Sequence, residues 1–427
     1  MKTEGRLHRL RNSNARAVLV LASQGISAIS ALLLELVAAR ELGASGLGTF
    51  TVLWAVLVLY NSAQTGWLGD SLTVLPRFEP RVRRALFRYQ WMVLVLAFVV
   101  GSAAAIAVNA GDARTAALFG IALTAWVAEE TGRRLFLARL EFAELLLNDA
   151  IYAVVATVVA LSFLSSNKPY SLDNLFIAMI AGSVASIVAA LIRLPKDEFR
   201  RPAPGDACMR EVASFGAYRA AQISVRPLAL LAMGWLVLAG AGADAVGRLE
   251  VGRLIIAPAI TLVNGAGAAL LTLFRNELNL EQEGVPGHVG GMRKLLIQST
   301  VLLGIGTAVY AAVALSLATR LADFLTNGQF AVNTLAVLSW GIFTIMWGLG
   351  MPAGNAAVAQ GRAKEAFWIR LADSAVGLAF AGAFVILAPR WAPPLGLAIG
   401  ASVGVVWLWM VVLHDTDRVE AAVAVRT

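Results

Sequence analysis

The sequence predicts an all-α polytopic membrane protein in which twelve transmembrane helices form two six-helix lobes. Of the 427 residues, 59% are apolar and only 15% are charged, whereas about 25% of the residues of a soluble domain are charged. Twelve apolar stretches of roughly 20 residues follow one another, the length that a helix needs to cross about 30 Å of hydrocarbon. Strands of a membrane barrel would be about ten residues long with alternating polarity, a pattern that the sequence lacks.

Short polar breaks separate the predicted spans. The spans cover residues 15–39, 46–69, 87–109, 115–137, 143–164, 171–194, 212–239, 245–274, 294–318, 331–351, 365–388 and 393–413. The basic start MKTEGRLHRLRNSNAR precedes an apolar run that is too long for a signal sequence, so we expect no cleavable signal peptide.

The distribution of Lys and Arg predicts the orientation. If the N-terminus is cytoplasmic, the inner segments carry 26 of the 35 basic residues and the outer breaks carry 7. Because cytoplasmic loops collect Lys and Arg, both termini are expected inside. We attribute the net charge of +8 to cytoplasmic loops that fix the orientation and contact anionic lipids. Nucleic acid is not an expected partner.

The middle of the chain predicts the domain boundaries. The break LPKDEFRRPAPGDACMRE has three prolines and mixed charge. We expect a cytoplasmic tail (1–14), an N-lobe (15–194), a linker (195–211), a C-lobe (212–414) and a second cytoplasmic tail (415–427). An echo of Gly43-Ala44 and Gly48 in Gly242-Ala243 and Gly247, 199 residues later, indicates a parallel repeat of six spans.

Residue types exclude several kinds of chemistry. Cys208 is the only cysteine, and the three histidines lie outside the spans or at their ends. We therefore predict no metal site, no cofactor and no Ser/His/Asp catalysis. The sequence also has no phosphate-binding loop, so no ATPase activity is expected.

Span seven carries the most informative charges. Arg219 and Arg226 are seven residues apart, so they share a helical face and lie about 10 Å apart along the axis. Inserting an Arg side chain near the middle of the bilayer costs at least about 2.5–3.5 kcal/mol of free energy. Gln222 lies between them, and Pro227 is expected to bend the helix. The functional hypothesis is a cationic stripe that binds phosphate or pyrophosphate, and the alternative is an Arg paired with a carboxylate of a neighbouring span. Arg219 could also extend to the inner membrane interface.

Further polar residues lie within the spans. Glu35 and Gln24 share a face of span one, where Glu35 either binds a coupling H⁺ or Na⁺, pairs across a cavity, or pairs with Arg40 at the rim. Arg253 in span eight is a third candidate for anion binding. The remaining candidates are Asn61, Gln64 and Asn264. They either form hydrogen bonds with sugar hydroxyls or join neighbouring helices.

Two groups of residues are candidates for gating. Three carboxylates near cytoplasmic ends of spans are expected in gate or interface ion pairs, and they are Asp70, Asp149 and Asp373. Pro258 interrupts span eight, and Gly350 and Pro352 interrupt the end of span ten. Such breaks are tolerated where a helix lines a cavity or bends.

Three passages resemble the polysaccharide-lipid flippases of the multidrug/oligosaccharidyl-lipid/polysaccharide (MOP) exporter superfamily. The passage ARELGASGLGTFTVLWAVL is similar to their R-x-L-G-x-x-x-x-G-x-F motif through Arg40, Leu42, Gly43, Gly48 and Phe50. GADAVGRLEVGRLIIAPAITL matches a second motif at Gly247 and Pro258, although Leu249 stands where an aromatic residue is usual. The third passage is GNAAVAQGRAKEAFWIRLADSAVGLAF.

The resemblance implies two lobes around a central cavity and alternating access. It implies a flippase that moves a polyprenyl-pyrophosphate-linked oligosaccharide across a bacterial cytoplasmic membrane. Expected partners are this substrate, membrane lipids, H⁺ or Na⁺ as a coupling ion, and polysaccharide assembly enzymes. The alternatives are an H⁺- or Na⁺-coupled multidrug exporter, which should present carboxylates, a membrane enzyme, or a non-transporting scaffold.

Overall fold

The computed structural model describes residues 2–108, 112–165, 169–199, 202, 204–282 and 290–424. Within these residues the regular structure is helical. The helices up to the linker are α1 (Lys2–Glu41), α2 (Gly43–Gln64), α3 (Asp70–Val74), α4 (Pro80–Ala107), α5 (Ala113–Ala138), α6 (Phe142–Ser162), α7 (Leu172–Arg193) and α8 (Lys196–Phe199). A π-helical turn, Thr65–Gly69, joins α2 to α3, and a 3₁₀ turn, Phe163–Ser165, follows α6.

After the linker the helices are longer. They are α9 (Met209–Gln282), α10 (Gly291–Ser316), α11 (Ala318–Thr326), α12 (Thr334–Ala359), α13 (Ala363–Leu387) and α14 (Pro393–Ala424). Side chains of the predicted tails, 1–14 and 415–427, lie outside the described part of the structure, as do His288 and Lys168.

The described helices account for all twelve predicted spans. Ten helical segments are long and apolar enough to cross a membrane. One of them, Met209–Gly267, has 59 residues, which at 1.5 Å per residue is far longer than one bilayer and holds two spans. The helix α5 is not one of these ten segments, but it coincides with the predicted span 115–137, is as long as the others and carries two Glu and two Arg in its second half. The predicted all-α polytopic fold is therefore confirmed.

Gly242 separates the two spans of α9. Its backbone angles, φ 80° and ψ 173°, are non-helical. Glycine adopts this positive-φ conformation readily because it has no Cβ. Gly43, its counterpart 199 residues earlier, also has positive φ, 66°, and begins α2. Both echo segments thus have a glycine with positive φ where the following span begins.

The echo segments also contact each other reciprocally. A Cβ at Gly48 would lie 1.8 Å from the carbonyl oxygen of Ala243, and a Cβ at Gly247 would lie 1.9 Å from that of Ala44. Each glycine therefore receives the backbone of the other segment. This symmetric pairing supports the internal repeat that the sequence predicts.

Internal contacts divide the chain into two units. One contains Met1–Leu42 and Thr49–Pro227, and the other contains Gly43–Gly48 and Leu228–Thr427. This division lies within α9, next to Pro227, and not in the proline-rich linker. The reason is that the first turns of α9 pack against the segment around Trp67 in the first unit.

The first unit packs α4 on α5, α5 on α7, α6 on α7 and α1 on α6. Asp112 caps α5, because its Oδ1 accepts the backbone N–H groups of Arg114 and Thr115 at 3.0 Å. These hydrogen bonds, that of Thr115 foremost, lower the pKa of Asp112 by stabilising its charged form. Thr115 also donates to Asp173 at 2.7 Å and so ties α5 to α7.

The second unit packs α14 against α12 and α13, and α10 against α12. In both units large apolar side chains cover the outside, including Ile192, Leu302 and Ile386, which is 85% exposed. A surface of this kind suits lipid and not water, as expected of a multi-pass membrane protein.

Candidate functional site

The first arginine of span seven, Arg219, lies in a cluster of polar side chains in the first unit. Arg219 Nε lies 2.9 Å from Asp70 Oδ2, and Arg219 Nη1 donates to Gln222 Oε1 at 2.6 Å. The Arg219 side chain is 41% exposed, and that of Asp70 is 20% exposed. The predicted candidates Arg219, Gln222 and Asp70 are thus brought together.

Two glycines allow this contact. A Cβ at Gly66 would lie 2.4 Å from the backbone nitrogen of Ala220, and a Cβ at Gly216 would lie 2.6 Å from the carbonyl oxygen of Trp67. Gly66 lies in the π-helical turn, and such turns shift the register of the residues that follow. The close approach of the two backbones brings Asp70 to Arg219.

Arg226 lies two turns further along α9 and is partly buried. The adjacent Pro227 was expected to bend the helix. The only non-helical backbone angles in the described part of α9 are at Gly242, so the helix continues through Pro227. The fixed φ of proline is compatible with a helix, which loses one hydrogen bond here without breaking.

The candidates of span eight lie in the second unit. Arg253 Nε donates to Glu250 Oε1 at 2.8 Å, and Glu250 is buried. Arg248 pairs separately with Asp244 at 2.8 Å. Arg253 therefore has a carboxylate neighbour on its own helix. Asn264, on the same helix, is exposed.

The polar candidates of spans one and two differ in burial. Gln24 is exposed and Glu35 is buried. Gln64 is also buried, and its Nε2 donates to Thr131 Oγ1 on α5 at 3.4 Å, so it joins helices of the first unit. Asn61 is partly buried, and its Oδ1 has no hydrogen-bond partner within the described residues.

The carboxylates predicted for gating are paired in the interior of their own units. Asp149 accepts from Arg133 Nε at 2.6 Å and from the hydroxyl of Ser23. Asp373 accepts a hydrogen bond from Arg370 Nη1 at 3.1 Å. Both aspartates are buried.

The glycine and the two prolines that were predicted to interrupt helices differ in their contacts and burial. Arg370 Nη2 donates to the carbonyl oxygen of Gly350 at 3.0 Å, so this part of α12 is bonded to α13. Pro352 lies inside α12 and is buried, whereas Pro258 is exposed. None of these three residues has non-helical backbone angles among those recorded for its helix.

Sequence reasoning missed a buried charge cluster in α5. Glu130 accepts from Arg134 Nε at 2.7 Å and from Arg133 Nη1, and Arg133 also binds Asp149. Glu129 and Glu130 are 5% and 2% exposed. The motif EETGRR was a usable signal, because carboxylates three and four residues before arginines face them on a helix.

Comparisons with known proteins find similar structures but no similar sequence family. No family model matches the chain, and no curated protein matches it. A solved structure of an inward-facing multidrug resistance MATE family transporter of the MOP superfamily superimposes with a TM-score of 0.74 at 12% identity, covering 95% of this chain and 99% of that one.

Two further solved structures are similar. One is the outward-facing conformation of a multidrug resistance MATE family transporter (TM-score 0.61, 11% identity, 96% of each chain). The other is a MOP superfamily transporter from Pyrococcus furiosus, described as having a binding pocket whose reverse polarity suggests a different function (TM-score 0.59, 12% identity, 95% and 96% covered). The chain therefore has the fold of the MATE transporters of the MOP superfamily.

Proposed function

We propose that this protein is a flippase for a polyprenyl-pyrophosphate-linked oligosaccharide in a bacterial cytoplasmic membrane. The observation that carries the proposal is the side chain of Arg219, which is 41% exposed within a membrane-spanning helix, two turns from Arg226. Hydrocarbon does not solvate a guanidinium, so we infer that the exposed part of this side chain faces a polar space. A transported anionic head group would pass through that space.

The residue types suit pyrophosphate. Each guanidinium presents a planar fork of N–H donors that matches phosphate oxygens, and Gln222 adds a neutral donor. Arg219, Arg226 and Asp70 together carry a net charge of +1. The sugars would meet the polar side chains of spans one and two, and the prenyl tail would stay in lipid. Alternating access would carry the head group across without any catalytic step.

Asp70 occupies one side of the Arg219 fork, so it competes with an anionic ligand. We expect Asp70→Asn to tighten binding of polyprenyl pyrophosphate up to about fivefold, because a partly exposed ion pair is worth at most about 1 kcal/mol. Binding would be measured by microscale thermophoresis in detergent. The matched control is Asp173→Asn, which removes a pair with Arg114 elsewhere in the unit. Weaker binding by Asp70→Asn at unchanged thermal stability would contradict this role.

Arg226→Ala tests transport. Because a hydrogen bond to a charged group contributes about 1.5–3 kcal/mol, we expect flipping to slow roughly 10- to 150-fold. The assay uses proteoliposomes with a fluorescent polyprenyl-pyrophosphate disaccharide and a membrane-impermeant quencher. Arg320→Ala is the control, since Arg320 is exposed on α11. A normal rate in Arg226→Ala at equal reconstitution would argue against the proposal.

The second candidate is an H⁺- or Na⁺-coupled multidrug exporter. The buried carboxylates Glu35 and Glu129 favour it, and two of the similar structures are described as multidrug transporters. The Pyrococcus furiosus protein illustrates that pocket polarity varies on this fold. Uptake of a cationic dye by the same proteoliposomes, driven by a pH or Na⁺ gradient, would favour the exporter.

A further inference from the structure

Glu129 is a buried carboxylate that the proposed transport cycle does not use. It lies in the second half of α5 and is 5% exposed. Within the described residues it makes no hydrogen bond and no ion pair within 4 Å, in contrast to Glu130 beside it. An ionised carboxylate that is neither hydrated nor paired is costly, and proteins resolve this cost by neutralising the group.

The neighbouring arginines are already engaged. Glu130 binds both Arg133 and Arg134, and Asp149 takes two further donors of Arg133. The buried cluster therefore has three carboxylates for two guanidinium groups. If Glu129 were ionised, the cluster would carry a net negative charge out of bulk water, and such a charge is costly.

A cavity connects Glu129 to one end of the first unit. Its volume is about 260 Å³, and Glu129, Gln90 and Thr131 are among the residues that line it. Arg77, Arg83 and Glu198 line the same cavity, and the positive-inside rule assigns these residues to the cytoplasmic side. The space is large enough for several water molecules, which could carry protons.

Helices α3, α4, α6 and α7 pack against α5, and α4 contributes Gln90 and Arg83 to the cavity. From α6, Asp149 and Tyr152 lie near Glu129, and the buried Tyr152 hydroxyl has no hydrogen-bond partner within the described residues. On the cavity wall, α7 presents only apolar side chains. Asp70, on α3, is engaged with Arg219.

We propose that Glu129 is a proton-binding site that exchanges protons with the cytoplasm through this cavity. A proton suits the site better than a metal ion, because a metal would need several carboxylate or carbonyl ligands. In the part of the chain that the structure describes, no group of three or more His, Cys, Asp or Glu residues could hold one. This site is independent of the cargo.

Proton loss would have a structural consequence. A third negative charge would then compete with Glu130 and Asp149 for Arg133, which holds α5 to α6. The packing of the first unit would thereby respond to cytoplasmic pH.

Infrared spectroscopy of the protein in lipid nanodiscs tests the site directly. The wild type should show a protonated-carboxyl C=O band at neutral pH that decreases as the pH is raised. The band should be missing in Glu129→Gln, which preserves side-chain volume, and retained in Glu144→Gln, a half-exposed carboxylate on α6. A band that persists in Glu129→Gln, or is absent from the wild type, overturns the proposal. A response to Na⁺ at constant pH also overturns it, in favour of a cation site.

Access is tested separately. Since Cys208 is the only cysteine, Cys208→Ser provides a cysteine-free background for Gln90→Cys on the cavity wall. A small thiol reagent should label it faster from the cytoplasmic side than from the outer side. Equal or reversed rates would overturn the proposed route. Because neither measurement involves transport, failure here leaves the flippase proposal standing, and failure of that proposal leaves this site standing.

Discussion

Gly48→Ala is expected to lower the stability of the protein by at least about 3 kcal/mol, beyond the usual cost of overpacking. The new Cβ would lie 1.8 Å from the carbonyl oxygen of Ala243 and 2.9 Å from the backbone nitrogen of Gly247. Backbone atoms cannot move aside as a flexible side chain does, so α2 and the second span of α9 must separate. Thermal unfolding in detergent, followed by size-exclusion chromatography, measures the loss.

The repeat provides both a second test and a control. Gly247→Ala should be as damaging as Gly48→Ala, and the double variant should cost less than the two losses added, because one separation accommodates both. Gly306→Ala in α10 meets nothing within 4 Å and should be neutral or stabilising. Equal stability of Gly48→Ala and Gly306→Ala would show that the segments do not pack as described.

Arg133→Leu should destabilise the first unit by about 3–5 kcal/mol, the cost of removing one partner from a buried ion pair. It leaves Glu130 with a single arginine and leaves Asp149 with the Ser23 hydroxyl. The loss would be measured as a fall in the unfolding temperature of the detergent-solubilised protein. It should shrink at low pH, where the carboxylates are neutralised.

The matched control for this prediction is Arg114→Leu. Arg114 pairs with Asp173, but its side chain is 71% exposed, so the change should cost less than about 1 kcal/mol. Adding Asp149→Asn to Arg133→Leu should restore part of the stability, because it removes a stranded charge. Equal effects of the Arg133 and Arg114 variants would indicate that the α5 cluster is hydrated.

Much of the fold could be predicted because lipid imposes simple rules on sequence. Span length depends on local composition, so it predicted the helices of the fold, although α4 begins seven residues before its predicted span and α12 ends eight residues after its own. The Gly43 and Gly242 turns could be matched because the echo is a local pattern. Their reciprocal packing follows from a three-dimensional pairing that only the coordinates reveal.

The site was harder to predict because it depends on pairings distant in sequence. Arg219 and Asp70 are 149 residues apart, and the glycines at 66 and 216 that allow their contact carry no charge to mark them. Glu129 was overlooked because the neighbouring arginines made its helix end resemble an ordinary cytoplasmic boundary. Only burial and the assignment of each guanidinium distinguish it from Glu130.

The arginines of span seven are proposed to bind a negatively charged lipid head group. Native mass spectrometry can test this proposal by comparing polyprenyl pyrophosphate with the uncharged polyprenol of equal chain length. We predict at least tenfold tighter binding of the pyrophosphate, a difference that disappears in the Arg219→Ala/Arg226→Ala double variant and persists in Arg320→Ala. Equal binding of both lipids by the wild type would contradict the claim.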